Sequence, residues 1–326
     1  IHANCVLISN FILFIMRRFF TPFLLSCCLL FSCFMTSCKK FENGQSVPSY
    51  IRIDEISVNC DYYTYGAKTS KITDAWVYVD DDILGCFELP ATFPILKSGK
   101  HNVKVYGGIM VNGISAARAP YTFYKPVEYK ALNLVQDSIV KLSPVLSYYA
   151  VSDLKFHWSE DFEDVSLTLN ATHDSDVPVL RVPVDGEQAF GVPQSSYSGK
   201  IVLPADSLHF TAACTKELDS LPTDGTQCLL ELDYNCNAPF TVGLMYCENY
   251  QITEFPMLTV QATDTVNANP SRWNKIYVNV GPTCVAFEDA SYFKIYLTSH
   301  IYNGYEEVIP DHERIYYIDN LKLISR

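Results

Sequence analysis

From Tyr50 onward no stretch keeps apolar residues at a 3.6-residue spacing through three turns. Short alternating runs appear instead, closed by Gly, Pro, Asn or Asp. A chain patterned this way cannot bury its apolar groups as helices, so an all-β fold is expected. The tyrosine content, 22 residues and all of them after Cys38, favours strands as well. "YIRIDEISV" reads as a half-buried strand, and "ITDAWVYVDDDILGCFELP" as two strands around the aspartates 80 to 82. "GKHNVKVYGGIMVNGISAARAP" supplies two more, broken at Gly107-Gly108 and Asn112-Gly113, and "EYKALNLVQDSIVKLSPVLSYY" closes the block. About seven short strands at this spacing predict a β-sandwich over residues 50–149. Residues 150–326, from "LKFHWSEDFEDVSLTLNATHD" to "ERIYYIDNLKLISR", predict a second and larger antiparallel sandwich.

The first 49 residues are of another kind. Arg17 and Arg18 precede an apolar run, "FFTPFLLSCCLLFSCFM", of 17 residues, the basic and apolar parts of a secretory signal. Met16 is the natural initiator, and residues 1–15 are expected to be upstream extension. The run stops at Met35-Thr36-Ser37-Cys38, which resembles the lipobox of bacterial lipoproteins. That resemblance implies a signal peptide over 16–37, cleavage before Cys38, acylation of Cys38 and attachment to a membrane by its acyl chains. An uncleaved membrane anchor and ordinary secretion are the alternatives, because 17 apolar residues stand at the short limit for a spanning helix. Residues 38–49, "CKKFENGQSVPS", would then be a polar tether carrying Gly and Pro. Cys-Lys-Lys ahead of a tyrosine-rich β-type body resembles outer-membrane lipoproteins of the Bacteroidota. In that group an acidic pair after the cysteine marks surface export; only Glu42 stands here, so the surface and periplasmic faces both stay open.

The two blocks carry resemblances of their own. Val77, Val79, Asp80 and Gly85, followed by Gly99, His101, Val103 and Val105, resemble the PEGA-like and Ig-like sandwich modules of bacterial envelope proteins. "WSEDFE" at the start of the second block and "YIDNLKL" on the last strand resemble the galactose-binding-like jelly rolls of carbohydrate-binding modules. The second resemblance implies a structural calcium between first and last strands, with Glu163 and Asp319 as ligands and Asp161 beside them. An edge of carboxylates, carbonyls and water is chemistry that calcium accepts. The opposing reading makes "EDFED" a solvated strand end with Phe162 its only inward residue.

Charge and motif content narrow the functions. The net charge is −12, and −14 without Arg17 and Arg18, the only charges ahead of Cys38; such a surface does not attract nucleic acid. Of twelve cysteines, seven follow Cys38, an odd number with no zinc spacing and no C-x-x-C. Cys236 with Cys247, across an expected hairpin, is the easiest bridge, against buried free thiols. No G-x-S-x-G, H-E-x-x-H or phosphate-cradling glycine loop occurs, and a non-catalytic protein is expected. Sugar sites on sandwiches use exposed aromatic faces beside a few polar groups. The aromatics outside clear alternation are Tyr302, Tyr305 and Trp273 in the second block and Tyr62, Tyr63 and Tyr65 in the first. The sequence thus predicts an envelope lipoprotein binding a glycan or a protein partner through its jelly roll. A scaffold component of a secretion or gliding machine is the alternative, and a glycan hydrolase would need a buried carboxylate in a groove.

Overall fold

Strands dominate the computed structural model, which describes residues 47–184, 195–205, 207, 209–266, 271–300 and 313–326. Eleven lie before residue 149: β1 (Ser49–Ile53), β2 (Ser57–Val58), β3 (Asp74–Val79), β4 (Asp82–Glu88), β5 (Ala91–Ile95), β6 (Gly99–Met110), β7 (Arg118–Pro120), β8 (Tyr124–Lys125), β9 (Val127–Leu134), β10 (Ile139–Leu142) and β11 (Val145–Tyr148). One sheet runs β10-β1-β5, a second β2-β11-β8, and a third β4-β3-β6-β7 with β9 also on β6. Alternation decides the inward face. Ile51 and Ile53, Ala75, Val77 and Val79, and Val103 and Val105 are buried, and Phe93, Tyr121 and Phe123 fill the space between them. Trp76 lies on the other face of β3, half-buried.

The β3–β4 connection shows why the aspartate run sits where it does. Asp80 and Asp81 both take left-handed backbone (φ 53° and 70°), the requirement of a two-residue hairpin turn of the primed type. Asp80 then accepts from Asn102 N at 3.0 Å and lies 2.6 Å from His101 Nδ1. The Asn102 amide, His101 and Lys97 hold its carboxyl down at about 2. Val77 pairs with Val105 and Val79 with Val103, so the two quoted valine pairs are cross-strand neighbours.

Eleven more strands follow: β12 (Lys155–Glu160), β13 (Leu169–Ala171), β14 (Leu180–Pro183), β15 (Tyr197–Leu203), β16 (His209–Cys214), β17 (Cys228–Cys236), β18 (Phe240–Glu248), β19 (Gln251–Val260), β20 (Asn274–Asn279), β21 (Tyr292–His300) and β22 (Arg314–Ser325). They form an antiparallel jelly-roll sandwich of two sheets, β14-β15-β22-β17-β20 with β12 on β22, and β13-β16-β21-β18-β19. Its core holds Leu230, Leu232, Tyr316 and Ile318 from the first sheet and Phe210, Leu244, Ile295 and Leu297 from the second.

Every residue of β17 and of β22 is buried. Both faces of the six-stranded sheet are covered: Leu229, Tyr277 and Ile324, on its outer side, join the core of the first eleven strands. Alternation between apolar and solvated residues therefore fails there for a physical reason, since neither face meets water. Residues 49–326 accordingly make one compact unit. Cys236 and Cys247 are not bridged: all seven cysteines described are free thiols, and five of them are buried, as the alternative reading has it. β17 and β18 follow one another in sequence but belong to different sheets, so no hairpin brings the two sulfurs together.

Candidate functional site

The site begins with a single helical turn, α1 (Tyr62–Tyr65). Asp61 caps it, accepting from Thr64 N at 2.9 Å and from Thr64 Oγ1 at 2.6 Å, and Gly66 ends it with φ 78°. So short a turn points three tyrosines in three directions. Tyr65 stacks on Tyr148 with ring centroids 4.9 Å apart and donates to Tyr149 O at 3.2 Å. Tyr62 donates to Asp161 Oδ2 at 2.7 Å. Tyr63 is left 94% exposed.

Beside this turn opens a cavity of about 470 Å³. Its opposite rim is the β12–β13 turn, which contributes Asp161, Glu163 and Asp164, and its floor is Lys275 of β20 with Asn320 and Lys322 of β22. The β12–β13 turn is anchored by Phe162, fully buried in left-handed backbone (φ 59°) against Gly199, where a Cβ would stand 2.3 Å from the ring. Arg181 donates to the carbonyls of Phe162 and Glu163 at 2.7 and 2.8 Å. Glu163 Oε1 accepts from the amides of Ser196 and Tyr197 at 2.7 and 2.9 Å. The rim is thus fixed by the backbone rather than left to side-chain rotamers.

Behind the floor lies a buried ionic network. Lys275 Nζ is ion-paired with Glu231 Oε2 (2.9 Å) and donates to Asp233 Oδ1 (3.2 Å) and Thr69 Oγ1 (3.2 Å). Lys322 Nζ donates to Tyr65 O (2.8 Å) and Tyr148 Oη (2.7 Å) and stands 3.7 Å from Glu231 Oε1. Tyr121 also donates to Glu231, and Asn320 Nδ2 donates to Asp233 Oδ2 at 3.0 Å. Burial pushes the Glu231 carboxyl up, but Lys275, Lys322 and the Tyr121 hydroxyl outweigh it and hold it at about 2. Burial raises the Asp233 carboxyl despite Lys275, and it lowers Lys322 despite Glu231.

The expected ligand residues meet different fates. Asp161 and Glu163 line the cavity. Asp319 is fully buried, accepting from Ser195 Oγ at 2.8 Å and Asn320 N at 2.7 Å. Burial lifts its carboxyl well above the usual range, and the charges of Asp233 and Asp161 add to the rise. Among the described residues no group of three or more His, Cys, Asp or Glu side chains is set to hold a metal ion. Trp273 is half-buried just ahead of β20, and Tyr302, Tyr305 and Cys38 lie outside the described residues. The tyrosines 62, 63 and 65 do meet at one site. Sequence reasoning missed Lys275, Asn320 and Lys322; the available signal was a charged residue at inward positions of "NKIYVN" and "DNLKLIS".

No protein-family model matches the sequence, and no curated protein matches it. Among solved structures, the tandem CBM22-1-CBM22-2 domain of Xyn10C from Paenibacillus barcinonensis is 14% identical, covering 78% of this chain and 74% of its own, with a TM-score of 0.36. The family 11 carbohydrate-binding module of Lic26A-Cel5E from Clostridium thermocellum is 10% identical, covering 51% and 92%, with a TM-score of 0.33. TmCBM61, solved with β-1,4-galactotriose, is 13% identical, covering 48% and 87%, with a TM-score of 0.29. These are loose likenesses of layout, and the chemistry of the cavity is read from this chain's own residues.

Proposed function

We propose that the protein is a non-catalytic, lipid-anchored protein of the outer membrane that holds a glycan in the cavity beside Tyr63. The observation that carries this reading is an almost fully exposed tyrosine ring lining a cavity whose walls mix apolar surface with firmly held polar groups. A sugar ring presents one apolar face and a girdle of hydroxyls. An exposed aromatic accepts the first, and fixed carboxylates and amides orient the second. Glu163, Asp161 and Asn320 are held by backbone or neighbouring side chains, so little ordering cost falls on binding. The lipobox-like Met35-Thr36-Ser37-Cys38 supports the anchor, and the tether after it would let the binding unit stand off the bilayer.

The test is a glycan array probed with the full chain in mild detergent, with and without calcium. Saturable binding that Tyr63→Ala lowers at least about tenfold is expected, in line with the loss of one stacked aromatic contact. A flat array from folded, monodisperse protein overturns the reading and favours a scaffold role in an envelope assembly. Binding that requires calcium would bring the Glu163, Asp161 and Asp319 expectation back into play.

A further inference from the structure

Resting on that glycan reading, we propose that the cavity selects sugars bearing a protonated amine over neutral or acidic ones. Three of the charged groups lining it are carboxylates on one rigid turn: Asp161, Glu163 and Asp164. The two lining ammoniums cannot answer them. Lys275 is ion-paired with both Glu231 and Asp233 and donates to Asp233 and Thr69, so its charge is balanced from behind. Lys322 donates to Tyr65 O and Tyr148 Oη and sits against Glu231. Glu231 and Asp233 therefore compensate the floor from behind, and the field inside the cavity is set by the rim.

Each rim carboxylate keeps acceptor capacity. Asp161 receives Tyr62 Oη on one oxygen and Glu163 N on the other, Glu163 receives its two amides on Oε1, and Asp164 is exposed. A carboxylate has about four lone-pair sites, so these contacts leave room for an ammonium. Tyr63 adds the negative face of an exposed ring at the mouth, which attracts cations as well as apolar sugar faces. An acidic sugar would meet the same three carboxylates, while the charges of both lining lysines are already balanced by Glu231 and Asp233. The rim that rewards an amine therefore repels a uronic acid.

The test is isothermal titration of the full chain with two tetrasaccharides of equal length, glucosamine with free amines and its fully N-acetylated counterpart. Titrations are run near pH 5, low enough to keep the sugar amines protonated and above the usual Asp and Glu range. The amine form is expected to bind about tenfold more tightly, given several charges at close range and partial screening. The preference should shrink as salt rises from about 0.05 to about 0.3 M, as the Debye length shortens from about 14 to about 6 Å. Asp164→Asn, at an exposed position with no burden on folding, should reduce the preference about threefold to fivefold, and Glu163→Gln similarly. Equal or tighter binding of the N-acetylated form overturns the inference and leaves the glycan reading standing. So does failure of both probes while a neutral glycan binds in a Tyr63-dependent way. Failure of both probes together with a flat array ends the inference and the glycan reading alike.

Discussion

Asp319 and His157 show how burial, reinforced by neighbouring charge, sets the chemistry of single residues in this protein. Asp319 is fully buried beside Asp233, and its carboxyl is lifted well above the usual range. A carboxyl that holds its proton more tightly when folded favours the folded state at low pH, and that contribution is lost as pH rises through its folded value. Asp319→Asn removes the charge cost; its oxygen can still accept from Asn320 N, and its amide can donate to Ser195 Oγ, which accepts as well as it donates. Its stability in urea at pH 7 should equal or exceed that of the parent, and the gain should vanish in acid; a large loss at pH 7 would assign the ionised carboxylate a partner. His157 has the opposite sense. Burial, with Lys155 and Lys216 near, pushes its imidazole down to about 4. Below about pH 6.5 the unfolded chain takes up a proton that the folded chain refuses, so stability falls from there to about pH 4, by about 3 kcal/mol in all. Urea midpoints at pH 7 and pH 4.5 should converge in His157→Gln, whose amide can still reach Ser325 Oγ, the present partner at 2.8 Å.

At the scale of elements, the rim turn depends on a glycine far from it in sequence. Gly199 in β15 leaves the space that the Phe162 ring occupies, and Phe162 holds Asp161 and Glu163 in place on either side. Gly199→Ala should cost about 1–3 kcal/mol by overpacking and weaken glycan binding in proportion to the displaced rim, read by thermal melting and titration on the same sample. The contrast in legibility is sharp here. Inward Phe162 belongs to the reading that opposes calcium, the valine pairs of β3 and β6 come with the resemblance to envelope sandwich modules, and the tyrosines 62, 63 and 65 stand out as aromatics outside alternation. The parallel pairings of β1 with β10 and β2 with β11 could not be read, because alternation says which face is buried and nothing about which strand lies alongside. Nor could the fate of Lys275 and Lys322. A lysine inside a strand reads as solvated until a second layer is known to cover it.

For the whole molecule, the six-stranded sheet is the shared wall. One face carries the jelly-roll core, and the other meets the first eleven strands through Leu229, Tyr277 and Ile324 and through the Glu231 network. Both layers should therefore unfold in one cooperative transition. Glu231→Gln leaves two buried ammoniums short of a counter-charge and should cost about 3–5 kcal/mol, visible as a lowered melting temperature or as two separated calorimetric transitions. A melting curve identical to the parent's would mean that apolar contact alone joins the layers. The same wall forms the floor of the cavity, so the site exists only because both layers are present. The most direct measurement of that site is a paired titration of the best array glycan against Tyr63→Ala and Tyr250→Ala. Tyr250, 101% exposed between β18 and β19, does not line the cavity and serves as the matched control. Loss of binding in the first variant and full binding in the second is the predicted result. Equal affinities in both, or loss only with Tyr250, would place the glycan elsewhere and contradict it.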